Sequence, residues 1–181
     1  MKILFVNACV RKDSRTLKLA TELLAGLNGE IYVLNLEELD LKPLDETRIT
    51  QRLTDKNEQV LARDFANSDI IVIAAPVWDL SFPALLKLYI ENISIAGVTF
   101  KYTEKGIVGL CKAKKLYYIS TSGGVFVPNF GYDYIKAVSN IMYGIEEVKL
   151  YSAEGLDIWG NDIESILNET IKKIDLNKKN E

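Results

Sequence analysis

Residues 8–16, Ala8-Cys9-Val10-Arg11-Lys12-Asp13-Ser14-Arg15-Thr16, place the hydroxyls of Ser14 and Thr16 among two arginines, Arg11 and Arg15, just ahead of a stretch of helical periodicity. Hydroxyl donors, free amides at a helix start and the positive end of the helix dipole make an anion site there, one suited to a phosphate monoester. Ser14 reads equally well as a plain N-cap. Neither G-x-G-x-x-G nor G-x-x-x-x-G-K-[ST] is present, so the loop is neither a dinucleotide fingerprint nor an NTPase loop. Cys9 reads as a small buried side chain rather than a redox thiol. A second segment, Ala75-Pro76-Val77-Trp78-Asp79-Leu80-Ser81-Phe82-Pro83-Ala84, brings an aromatic residue and main-chain amides before a helix that carries Pro83 in its first turn. A flat heteroaromatic ring fits against Val77, Trp78 and Leu80, with backbone N–H groups at its polar edge; the plainer alternative makes Trp78 a large residue at the core boundary. A third, Ser120-Thr121-Ser122-Gly123-Gly124, offers two glycine amides unshielded by side chains.

Composition removes other chemistries. The chain has no histidine, which excludes a Ser-His-Asp triad, a Cys-His dyad and any His-ligated metal. Its two cysteines, Cys9 and Cys111, have no metal-ligand spacing and form no disulfide framework, as expected of a reducing cytosol, so any redox chemistry must come from a cofactor. A net charge of −3 without a basic tract argues against nucleic acid, and Lys112-Ala113-Lys114-Lys115 reads as a solvated approach to a strand. The longest apolar run, residues 70–77, is too short to span a bilayer, and no cleavage site follows Met1; a cytoplasmic protein is expected.

These loops need elements to hold them. At 181 residues and 48% hydrophobic, the chain is expected to form a single domain over 1–181. Short apolar runs at 2–7, 30–34, 69–74, 115–121 and 147–152 read as strands buried on both faces. Helical stripes alternate with them: Leu17, Ala20, Leu24 and Leu27; Leu53, Val60, Leu61 and Phe65; Leu85, Leu86, Tyr89, Ile90 and Ile93; residues 132–143; and Ile163 to Ile174 after Asn161 or Asp162 as N-cap. Right-handed crossovers then give an α/β fold, a doubly wound five-stranded parallel sheet of order 2-1-3-4-5 with helices on both faces. Ligands bind such sheets beyond the carboxyl ends of the strands, where all three loops fall.

Together the loops resemble those of the FMN-dependent NADH azoreductase/quinone reductase family of flavodoxin-like proteins. The likeness rests on the loop from Arg11 to Thr16, on Ala74-Ala75-Pro76-Val77-Trp78-Asp79-Leu80 and on Thr121-Ser122-Gly123-Gly124. Its most specific part is Ala96-Gly97-Val98-Thr99-Phe100-Lys101-Tyr102-Thr103-Glu104-Lys105-Gly106, followed by Gly109-Leu110; Ala153-Glu154-Gly155 is also similar. The resemblance implies bound FMN, with the phosphate at Cys9, Arg11, Ser14, Arg15 and Thr16, the ring lined by Pro76, Val77, Trp78, Asp79 and Leu80, and its pyrimidine side at Thr121, Ser122, Gly123 and Gly124. No catalytic side chain and no metal is implied, because the chemistry belongs to the flavin. The implied activity carries two electrons from NADH or NADPH to quinones or azo compounds by a ping-pong route, with Phe100, Tyr102 and Phe126 facing the substrate. An FMN or chromate reductase and a non-catalytic flavin electron carrier are the alternatives. The chain departs from the family at Cys9, where Ser is usual, at Trp78-Asp79-Leu80, where Tyr-Asn-Phe is usual, and at Phe126, where some members carry His. A homodimer is expected through residues 83–102, because Tyr89, Ile93, Ile95, Val98 and Phe100 exceed what one sheet face needs.

Overall fold

Side chains along a strand alternate between its two faces, so a continuous apolar run must find partners on both. In the computed structural model, which describes residues 1–126 and 128–178, the strands β1 (Lys2–Asn7), β3 (Ile70–Ala74) and β6 (Lys115–Thr121) obey this. Leu4, Val6, Ile71, Ile73, Leu116 and Tyr118 join one buried cluster, which α3 (Val60–Ala66), α4 (Ala84–Ile93) and α5 (Phe130–Val138) cover. Ile3, Phe5, Val72, Ala74, Tyr117 and Ile119 join the other, beneath α1 (Arg15–Ala25) and α6 (Ile163–Lys178). With β2 (Glu30–Asn35) and β7 (Glu147–Ala153), these strands form a parallel sheet of order β2-β1-β3-β6-β7. The expected numbering 2-1-3-4-5 omits an antiparallel hairpin, β4 (Phe100–Thr103) and β5 (Gly106–Gly109), which intervenes in the chain and forms its own sheet.

Two other expectations are corrected. β2 is not buried on both faces: among the described residues it pairs only with β1, and Ile31, Tyr32 and Val33 are exposed, Val33 at 58%. The stripe from Leu53 to Phe65 is not one helix. α2 (Glu46–Thr54) ends before α3 begins, and between them Asp55 Oδ1 accepts from the Asn57 amide while the Gln59 side-chain amide donates to the carbonyls of Arg52 and Leu53. Those bonds close the end of α2, so Leu53 and Val60 face solvent while Phe65 is buried. The segment 132–143 is helical, but its last turn, Ser139–Tyr143, is a π-helix that stops at Gly144 with φ 74°. Of the two N-cap candidates for α6, Asp162 accepts from the Ser165 amide, while Asn161 donates to the Gly155 carbonyl. Among the described residues, no helix is long and apolar enough to cross a membrane.

Candidate functional site

The sheet's hydrogen bonding runs on past the strand ends. Ala8 N–H donates to the Ala74 carbonyl, Ala75 N–H to Ile119, Val77 N–H to Thr121 and Ser122 N–H to Ala153, at 2.9–3.0 Å. The loops after β1, β3, β6 and β7 are therefore fixed to one another where they leave the sheet. They enclose a cleft of about 170 Å³. Of the residues singled out in the sequence, Cys9, Arg11, Ser14, Arg15, Thr16, Pro76, Val77, Trp78, Thr121, Ser122 and Gly123 line it.

At the start of α1 both readings of Ser14 meet in one atom. Its backbone is extended, with φ −63° and ψ 119°, and its Oγ accepts from the Leu17 amide at 3.2 Å, as an N-cap does. The hydroxyl proton faces the Cys9 sulfur, a weak acceptor that a charged oxygen would outcompete. The amides of Arg15 and Thr16 have no acceptor among the described residues, as the geometry of a helix start dictates. Thr16 is fully buried, and its Oγ1 lies 2.6 Å from Thr121 Oγ1; whichever hydroxyl donates, the other keeps a proton for a third group. Arg11 and Arg15 add charge, but each has a carboxylate partner, Asp13 at 3.5 Å and Asp157 at 2.9 Å. Orphan amides, hydroxyl protons and guanidinium groups together fit a phosphate monoester.

Cys9 has its amide held by Asn7 Oδ1 and its Sγ 3.7 Å from the Ala74 carbonyl. Burial pushes its thiol up, partly offset by a hydrogen bond with Ser14, and burial pushes Cys111 up to about 12. Both thiols stay protonated near neutrality.

Several expected site residues lie elsewhere. Trp78 and Ser81 exchange both backbone hydrogen bonds, at 3.0 and 2.9 Å, around a two-residue turn in which Asp79 (φ 50°) and Leu80 (φ 68°) are left-handed. The turn puts both on its exposed tip, outside the cleft lining. Phe100 is buried at the start of the hairpin, edge-on to Tyr102, which is 71% exposed; neither lines the cleft. Gly124 is not open: its free side meets the Phe126 ring, 2.9 Å from where a β-carbon would sit. Gly123 lines the cleft, but its open side holds the Asp157 carboxylate. Val10, Asp13, Leu156 and Asp157 also line the cleft and were not anticipated. Asp13 lay in plain view between Arg11 and Ser14, but no local pattern tied Asp157 to Arg15, 142 residues earlier.

A family profile described as flavodoxin-like fold matches residues 1–176. The chain is 37% identical over 191 residues to FMN-dependent NADH:quinone oxidoreductase 2 of Clostridium acetobutylicum, covering 95% of each chain. It is 36% identical to the FMN-dependent NADH:quinone oxidoreductase of Clostridium beijerinckii, covering 99% of this chain and 98% of that one. Among solved structures, an FMN-dependent NADH-azoreductase from Bacillus anthracis in complex with FMN superposes with a TM-score of 0.84 at 25% identity, covering 99% of both chains. An azoreductase from the same species reaches 0.87 at 24% identity and full coverage, a likeness of fold.

Proposed function

Because the chain belongs to this flavodoxin-like family, we propose that it is an FMN-dependent oxidoreductase that takes two electrons from NADH or NADPH and passes them to quinones or azo compounds. The observation that carries the reading is the anion site at the start of α1, where the Arg15 and Thr16 amides and the Ser14 hydroxyl converge in a cleft walled by Pro76, Val77 and Trp78. Bound FMN would supply two-electron chemistry between nicotinamide and acceptor. The protein's part is to hold the phosphate at the α1 terminus, to back the ring with the Trp78 loop and to border it with Thr121, Ser122 and Gly123. With one side so walled, donor and acceptor share one opening and take turns there.

The same reading makes the chain one cytoplasmic domain and a homodimer. The apolar surplus expected at residues 83–102 is largely spent inside the chain, since Tyr89, Ile93, Ile95 and Phe100 are buried. The hairpin still exposes Tyr102, Ile107 and Val108, and these offer the pairing surface. Sedimentation at micromolar concentration gives twice the chain mass if the hairpin pairs.

The deciding experiment releases the flavin from purified protein and adds NADH anaerobically to the intact complex. FMN and bleaching of its colour are expected. FAD, or no ligand even after incubation with FMN, sinks the reading; FMN that NADH does not bleach leaves an electron carrier instead.

A further inference from the structure

Asp157 meets both loops that would hold the flavin. A β-carbon on Gly123 would lie 2.4 Å from Asp157 Oδ2 and 3.1 Å from its Cγ, so the carboxylate rests directly on the glycine α-carbon. Its other oxygen, Oδ1, accepts from Arg15 Nη1 at 2.9 Å. The main chain keeps it there: Leu156 N–H donates to the Ser122 carbonyl, and Asp157 N–H donates to that of Gly123. The side chain is 70% exposed, and its ion pair with Arg15 adds little to the stability of the fold. Its consequence is local. The charged groups lining the cleft are Arg11 and Arg15 against Asp13 and Asp157, each cation beside an acid. A dianionic monoester entering the cleft meets guanidinium groups whose charge is already compensated.

We infer that Asp157 sets the affinity and selectivity of the cleft for flavin, its carboxylate competing with the cofactor's phosphate for Arg15 and holding the open side of Gly123 against the ring. The inference rests on the flavin reading above. It makes Asp157 a specificity-determining residue that lowers the preference for FMN over riboflavin, which has the same ring without the phosphate.

The test titrates FMN and riboflavin, by quenching of flavin fluorescence, into flavin-free wild-type protein and the variants Asp157→Asn and Asp157→Ala. The Asn variant keeps the volume over Gly123 and removes the charge. It is expected to bind FMN roughly two- to fivefold more tightly at low salt, the weight of one exposed charge pair, with riboflavin unchanged. That gain fades near 1 M salt, where the screening length is about 3 Å. The Ala variant, which also clears the side of Gly123, tightens both flavins. A merely structural tether predicts the opposite, since cutting it loosens the site. FMN binding no tighter than wild type in either variant overturns the inference while leaving the flavin reading intact. Unquenched FMN with all three proteins overturns the flavin reading and the inference with it.

Discussion

On the flavin reading Ser14 carries two duties on one oxygen, and substitutions separate them. As an N-cap it satisfies the Leu17 amide; as a donor it would face the phosphate. Ser14→Ala removes both and is expected to cost about 1 kcal/mol of stability in urea unfolding, and FMN affinity as well. Ser14→Asp restores the cap but sets a carboxylate at the anion site, so it should match wild type in unfolding and bind FMN much more weakly. Undiminished FMN binding by Ser14→Asp would put the phosphate elsewhere. Residues such as Ser14, Arg15 and Trp78 were legible because their signals are local: a hydroxyl before a helix, an aromatic at a strand end. Thr16 was legible as a hydroxyl but not in its role, because its partner Thr121 is 105 residues away and only the sheet order brings them to 2.6 Å. Asp157 was illegible for the same reason.

Elements explain why the most specific stretch of sequence does not line the cleft. Residues 96–109 form the exit of α4 and the hairpin. Buried Thr99 holds them, its Oγ1 donating to the Ile93 carbonyl and its own carbonyl accepting from the Leu110 amide. Gly106, at φ 113°, closes the two-residue loop between β4 and β5. The alternation of Phe-Lys-Tyr-Thr and Gly-Ile-Val-Gly around a short glycine-bearing loop is a hairpin signal, but a weaker one than the five apolar runs that already account for a sheet. Gly109 gives the sharpest prediction. A β-carbon there would fall 2.1 Å from the Tyr143 carbonyl carbon and the Gly144 nitrogen, which are backbone atoms that cannot rotate aside. Gly109→Ala is expected to cost at least about 2 kcal/mol in denaturant unfolding, whereas Gly97→Ala meets open space and pays only for its φ of 86°. At the opposite end of the sheet from the cleft, Asp69 accepts from the Lys2 amide at 2.7 Å and pairs with Lys112 at 2.6 Å; Lys112, then the Lys2 amide, hold its carboxyl below the ordinary 3.8. A lowered folded value contributes stability in full above 3.8 and loses it as pH falls through the folded value. Asp69→Asn should be less stable than wild type at pH 7, and its unfolding midpoint should fall less on acidification from pH 5 to 3.

At the scale of the whole molecule, the crossover rule and the near-continuous apolar runs of β1, β3 and β6 were enough to put three loops at one end of a parallel sheet. They could not show that β2 would be an exposed edge, because its Ile-Tyr-Val-Leu run is as apolar as a buried strand and only its lack of a second neighbour among the described residues distinguishes it. The assembled cleft has one further property that belongs to the chain as a whole. No imidazole exists anywhere in it, and burial keeps the cleft's one thiol, Cys9, protonated through neutrality. Neither can titrate near pH 6.5, the unperturbed histidine value. Bound flavin would supply the two-electron chemistry itself, so the chain need provide no such group. With flavin saturating, the rate of its anaerobic reduction by NADH, followed by stopped flow, is therefore expected to show no limb near pH 6.5. Steady-state double-reciprocal plots against a quinone should be parallel, because the Trp78 loop walls one side of the cleft and leaves donor and acceptor to use the opening in turn. Intersecting lines would mean that both bind at once and would defeat the shared opening; a limb near 6.5 would require a proton-transferring group with a strongly shifted pKa.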